Sequence, residues 1–285
     1  TEEFGWRIPC SFIYEEDIDP EILAKKVKDS GGTDQQALDL IYANNPPLWA
    51  KHEIGISTDS REYQTEALLC TSKKKVLRMA RRLGKTVLMI LDVLHFAIFK
   101  PGRKIIIFTP FVHQALRFFE EIQALAFNSP YLMARIKPIR GSENLYKKSP
   151  DMEMTFKNGT KILGFSTGGG SKDKSTKVRG MGVIDPITGL GGKVVGDEVD
   201  YLMSEGWTVM WPIIEESFEG AQVVHTIFAS TPSGKREDFY VVCKGEKSRY
   251  FKEIHRTVYD EPGITEEVLK QRRAGQTYEK WNREY

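Results

Sequence analysis

From residue 61 onward the chain alternates between short runs of apolar, β-branched residues and longer stretches whose apolar positions recur every three or four residues. The short runs predict buried strands and the longer stretches predict helices. Residues 61–70 (REYQTEALLC) read as a short helix and 74–80 (KKVLRMA) as a buried strand; the turn ARRLGKT then opens an apolar helix over 87–99. Gly102 closes that helix, 103–110 (RKIIIFTP) form a second strand and 111–127 a second helix. Residues 152–156 and 161–165 predict a hairpin turning at Asn158-Gly159. A polar, glycine-rich stretch over 166–180 reads as a loop. Beyond it come a short strand at 193–198, a helix at 205–216, a strand at 221–232 and a helix after Gly234. This alternation implies an α/β fold with a mainly parallel sheet and helices on both of its faces. Residues 1–60 read as a helical preface, with periodic stretches at 21–28 and 34–43 broken by Gly31-Gly32 and Pro46-Pro47. The core is expected over 61–258 and a small helical linker over 259–285. The linker stops in mid-pattern at Tyr285 and the first residue is not Met, so a fragment of a longer protein is expected.

Composition narrows this picture only a little. A length of 285 residues, with 40% hydrophobic and 28% charged, suits one large globular domain with smaller appendages. No run of about 18 apolar residues suggests a membrane span, and the acidic N-terminus lacks the regions of a secretory signal. Both favour a cytoplasmic location. Cys10, Cys70 and Cys243 form no CxxC pair and are expected to be reduced thiols, and the five histidines form no HExxH. A net charge of +2 names no partner. The local clusters Lys73-Lys74-Lys75 and Lys172-Asp173-Lys174 are expected to be solvated faces, with DNA contact as the alternative.

The strongest chemical signal is Ala80-Arg81-Arg82-Leu83-Gly84-Lys85-Thr86, set between a strand and a long helix. Backbone amides of such a turn, with the positive end of the helix dipole, bind phosphates. Lys85 is placed to reach the β- and γ-phosphates of ATP and Thr86 to ligate Mg²⁺. Met79 stands where the usual motif has its first glycine. Downstream, 193–198 end an apolar strand in Asp197-Glu198. Asp197 suits the hydration shell of Mg²⁺ and Glu198 suits polarisation of the attacking water. Gly196 sits where an aliphatic residue would pack better and is expected to weaken that strand. Tyr63-Gln64, just upstream of the loop, could pack on adenine and read its edge, or simply belong to an amphipathic helix. Ser230-Thr231-Pro232 closes the next apolar strand, where its hydroxyls could sense the γ-phosphate or form a capping turn. The Gly84–Thr86 turn and the acidic pair are expected to converge from adjacent strand ends.

Taken together these motifs resemble the large terminase subunits of tailed bacteriophages, over roughly residues 61–285. Glu62-Tyr63-Gln64 is similar to that family's adenine motif, and ARRLGKT to its variant phosphate loop, which lacks the usual glycine-rich start. Lys177-Val178-Arg179-Gly180 resembles the segment before the acidic strand, VVGDE the strand itself, ASTPSG the coupling motif, and YEKWNREY the connection to a following domain. The stretch 181–192 (MGVIDPITGLGG) departs from the pattern in its length and is expected to protrude as a loop. The resemblance implies a P-loop NTPase core of the RecA-like class that hydrolyses ATP with Mg²⁺ and drives double-stranded DNA into a procapsid. It implies a homo-oligomeric ring, with a monomer the alternative in isolation, acting with portal protein and a small terminase subunit in the host cytoplasm. A metal-dependent nuclease domain would follow, which these residues do not contain.

An arginine finger raises phosphoryl-transfer rates roughly a thousandfold or more. Arg179 could act in trans on a neighbour's nucleotide or touch DNA phosphate, and Arg81 could act in cis or as a γ-phosphate ligand beside Arg82 and Leu83. Two other readings use the same core: a helicase-like DNA translocase, and a nucleotide-binding assembly module that does not hydrolyse. The residues after Tyr240 are too few for a second RecA-like domain. A carboxylate as well placed as Glu198 would be superfluous in a protein that only binds.

Overall fold

The computed structural model describes residues 20–149, 151–168, 182–185, 187–215, 224–278 and 281. Its central strands are apolar on consecutive positions and so must be covered twice. Side chains of β1 (Lys74–Met79), β2 (Lys104–Phe111), β5 (Lys193–Asp197) and β6 (His225–Ser230) are buried nearly end to end. Successive side chains on a strand point to opposite faces. Accordingly Leu77, Ile105, Ile107, Val195 and Ile227 enter one core, and Val76, Ile106, Phe108, Val194 and Phe228 enter another. Helices α5 (Lys85–Phe99) and α6 (Val112–Phe127) close the first core through Leu88, Met89, Phe118 and Phe119. Helices α8 (Ser204–Glu215) and α9 (Asp238–Cys243) close the second through Trp207, Met210, Phe239 and Val242.

The sheet order is β3-β4-β2-β5-β6-β1-β7. Among the described strands only β3 (Met152–Thr155) runs antiparallel, paired to β4 (Lys161–Gly168) in the predicted hairpin; the other pairings are parallel. Gly159 adopts φ +88 at the turn, a left-handed conformation that glycine takes without steric cost. Strand β7 (Lys252–Arg256) is unexpected. It is an edge strand that, among the described residues, pairs only with β1 and fully buries only Ile254, so KEIHR carries no apolar run to announce it.

Before the first strand lie α1 (Pro20–Asp29), α2 (Asp34–Asn44), α3 (Pro46–Trp49) and a π-helical turn at Ala50–Ile54. Tyr42, Trp49, Ala50 and Ile54 belong to the same core as α5, and the Trp49 ring meets His95 edge-on at 5.4 Å. Helix α4 (Glu62–Leu69) lies beside the loop between β1 and α5, α7 (Pro130–Met133) follows α6, and α10 (Glu266–Arg273) lies in the linker region. In the 182–192 stretch Asp185 Oδ1 accepts from the Ile187 and Thr188 amides and leaves Ile187 at the tip 93% exposed.

Two expectations are corrected. Lys74 and Lys75 are not a solvated face: both are buried on β1, at 8% and 6% exposure, and burial lowers the Lys74 pKa to about 8. Lys172 and Lys174 lie outside the described residues. Nor does Gly196 weaken its strand. A Cβ there would press into Val199 Cγ1 and lie 2.8 Å from Phe228 Cδ1, so the glycine lets β5 pack against β6 and the turn that follows. Gly196→Ala should therefore lose about 1–3 kcal/mol of stability through overpacking, read as a lower midpoint in denaturant. An unchanged midpoint would mean that Val199 and Phe228 can part without cost.

Candidate active site

The loop between β1 and α5 is bent by two left-handed residues, Arg82 (φ +69) and Gly84 (φ +76). Such alternation turns successive amides toward one point, an anion-binding arrangement that the start of α5 reinforces. A Cβ at Gly84 would also lie 2.5 Å from Gln64 Nε2, so that side chain would have to give way. Lys85 is buried, and its Nζ donates to the carbonyls of Met79 and Ala80 (both 3.0 Å) and to Thr231 Oγ1 (2.9 Å). Burial lowers the Lys85 pKa, an effect opposed by Glu198 and Asp197 and reinforced by Arg81. Thr86 is half-buried, and Arg81 and Arg82 are exposed. Tyr63 Oη and Gln64 Nε2 both donate to the Leu83 carbonyl at 3.1 Å, tying α4 to the loop.

Asp197 ends β5 and accepts from the Glu198 amide at 3.0 Å through Oδ1. Glu198 leaves the strand in a left-handed conformation (φ +51), which swings its carboxylate toward β6. There Oε2 accepts from Ser230 Oγ (3.2 Å) and from the Thr231 amide (3.3 Å). The Asp197 carboxyl is pushed up to about 7 by burial first and by Glu198 second, with Lys85 opposing. The loop and the acidic pair thus converge, but not from adjacent strands as expected: β6 runs between β5 and β1. Thr231 is the bridge, bonded to Lys85 through its hydroxyl and to Glu198 through its amide.

The site contains a residue that motif reading missed. Asp200 is buried; its amide donates to Ser230 Oγ at 3.2 Å and its carboxylate accepts from the Ser233 amide, clamping the turn that includes Pro232. The spacing Asp197-Glu198-Val199-Asp200 was the available signal. The Ala80 amide donates to the Arg256 carbonyl of β7 at 2.9 Å, so the unexpected edge strand also steadies the loop. Arg179, with the 177–180 segment, lies outside the described residues.

No protein-family model matches the sequence, and no curated protein matches it. Solved structures do. The large terminase ATPase domain of Thermus phage P74-26 aligns with a TM-score of 0.62 at 16% identity, over 85% of this chain and 97% of that one. The chain has the fold of a phage large-terminase ATPase domain. A large terminase from a thermophilic bacteriophage aligns at 14% identity with a TM-score of 0.56, over 78% of this chain and 52% of that protein. The HK97 bacteriophage large terminase aligns at 12% identity with a TM-score of 0.53, over 85% and 50%. The chain therefore spans about half the length of these last two proteins. The thermophilic-phage terminase is also known in complex with ADP and with ATP-gamma-S. At these identities the likeness is one of fold, the mixed α/β P-loop NTPase fold, with a mainly parallel sheet between helices.

Proposed function

We propose that this chain is the ATPase motor domain of a phage terminase, hydrolysing ATP to move double-stranded DNA into a procapsid. The observation that carries the reading is the hydrogen-bonded path Lys85–Thr231–Glu198, which joins a phosphate-binding loop to a candidate base through the coupling turn. In the proposed reaction Lys85 and the amides of the loop bind the β- and γ-phosphates, and Glu198 takes the proton of the attacking water. Ser230 and the Thr231 amide hold the Glu198 carboxylate in place, so a change at the γ-phosphate reaches the turn directly. The donor set fits Mg²⁺: a hydroxyl at Thr86 and a carboxyl at Asp197 that burial and a like charge have left in need of a cation. When bound, Mg²⁺ would neutralise developing phosphate charge.

Tyr63 and Gln64 serve the adenine end, Arg81 the γ-phosphate, and Arg179 a neighbouring subunit's nucleotide within a homo-oligomeric ring. Portal protein and a small terminase subunit are the proposed partners. Phosphate release from ATP with Mg²⁺ should be measurable and should rise on adding double-stranded DNA. ATP binding without turnover, even with DNA and portal protein present, would replace this reading with a nucleotide-dependent assembly module.

A further inference from the structure

The sheet is covered twice along its middle but only once at its β3 edge. Met152, Met154 and Phe156 turn into the first core, while among the described residues none of β3 enters the second. Alternation therefore places Glu153, Thr155 and Lys157 on a face that the second core does not reach. The outer edge of this stretch is itself paired: Ile136 bridges Phe156 and Lys147 bridges Glu153, both antiparallel. The Lys137 amide donates to the Thr155 carbonyl and the Lys157 amide to the Arg135 carbonyl, each at 2.8 Å. Ile136 is buried with Phe156, so Lys137 shares the open face with Lys157. Lys161 joins them from β4, where it lies opposite Thr155.

The result is a grid of cations. Lys137 and Lys161 flank Thr155 two strand spacings apart, or about 10 Å. Lys147 and Lys157 lie one alternation to either side along the strand, each about 7 Å away. All four lysines are exposed. Glu153 is the acid on this face, and Lys161 approaches it at 3.4 Å. Residues 134–161 carry seven Lys or Arg against three Asp or Glu, a net +4 where the whole chain carries +2, so positive charge is concentrated here. An edge strand often carries lysine to stop another strand from pairing with it. That explanation does not serve here, because the outer edge of β3 already has backbone partners.

Resting on the motor reading for the choice of polyanion, we infer that this face holds the phosphate backbone of double-stranded DNA. Ammonium groups on a rigid sheet neutralise phosphates without reading bases, as a motor that must pass any sequence requires. The face lies three strand spacings from β5, about 14 Å across the sheet. Duplex binding and the chemistry at Glu198 are therefore separable by mutation.

The test is the triple variant Lys137→Ala, Lys147→Ala, Lys157→Ala, beside a second triple variant with arginine at the same positions. Affinity for a short duplex of mixed sequence should fall about tenfold or more at about 0.1 M salt, and the slope of log K against log salt should flatten by about 0.9 for each lysine removed. ATP turnover without DNA should stay at the parent's value, and the arginine variant should match the parent throughout. Unchanged duplex affinity and slope in the alanine variant overturns the assignment. So does an equal loss in the arginine variant, because its charge is intact. An alanine variant that keeps its duplex affinity but loses affinity for polyglutamate gives the face to an acidic protein instead. A parent that binds duplex through these lysines yet never hydrolyses ATP sinks the motor reading and leaves the surface standing. A parent that hydrolyses ATP but binds no duplex sinks the surface alone.

Discussion

Glu198→Gln should bind ATP about as tightly as the parent and lose hydrolysis by roughly 10²- to 10⁴-fold, the usual contribution of a positioned general base. The amide retains an oxygen to accept from Ser230 Oγ and the Thr231 amide, so the turn at 230–232 keeps its anchor. Only the basic oxygen is lost. Lys85 has its own partners in Met79, Ala80 and Thr231, so the phosphate loop should be undisturbed. Single-turnover phosphate release, read beside equilibrium binding of a fluorescent ATP analogue, separates the two effects. Turnover within about twofold of the parent would remove Glu198 from the chemistry. An equal loss of binding would instead give it a structural task.

On the proposed reading of Glu198 as the base, the geometry would couple it to movement. Three strand ends contribute one group each: Lys85 after β1, Thr231 after β6 and Glu198 after β5. Thr231 is bonded to both others, and Asp200 fixes the far end of its turn through the Ser233 amide. A displacement of Lys85 toward phosphate must break or re-aim its bond to Thr231. The same turn holds Glu198, so on the proposed reading nucleotide state would be linked to the orientation of the Glu198 carboxylate. Contacts of this kind have discrete alternatives rather than continuous ones, as an element that gates a reaction needs.

The sequence made the parallel core legible because its strands are apolar on both faces, as in β1, β2, β5 and β6. Lys85 and the Asp197-Glu198 pair were legible for a related reason: the loop leading to Lys85 follows one such strand and the acidic pair closes another. What stayed hidden depends on long-range pairing. Strand β7 shows no apolar run because its outer edge is unpaired among the described residues. The insertion of β6 between β5 and β1 is a matter of strand order, which local pattern does not encode. Gly196 looked like a defect because its reason is three residues on, in Val199, and across the sheet, in Phe228. Lys74 and Lys75 looked like surface charge because the partner of Lys75 lies on the next helix.

That partner supports the largest stability effect expected here. Asp92 is the one carboxylate in the apolar helix α5, and it faces two buried ammonium groups. Lys75 of β1 donates to Oδ1 at 2.9 Å, and Lys193 of β5 pairs with Oδ2. Burial alone would raise the Asp92 pKa, but the two lysines outweigh it and hold the carboxyl well below the ordinary range. Burial in turn lowers Lys193 to about 8. The cluster thus ties the helix that carries Lys85 to the strands that lead to the loop and to Asp197. Asp92→Ala would leave two like charges buried with no carboxylate, only the Ala67 carbonyl for Lys75 and the backbone carbonyl of position 92 for Lys193, at a cost of about 3–5 kcal/mol. Thermal melting should show a fall of roughly 10 °C for a chain of this size. Because the folded-state pKa of Asp92 is depressed, its contribution is full above the unfolded carboxyl pKa near 4 and disappears only as pH falls below it. The gap between parent and variant should therefore narrow in acid, as Asp92 protonates, and narrow again as pH rises and the buried Lys193, which loses the partner that raises its pKa, sheds its proton in the variant. The triple variant Asp92→Leu, Lys75→Met, Lys193→Met should recover most of the loss, since apolar groups of similar volume replace the charges. If Asp92→Ala alone melts with the parent, the lysines have found other acceptors, and the charge cluster does not hold the helix to the strands.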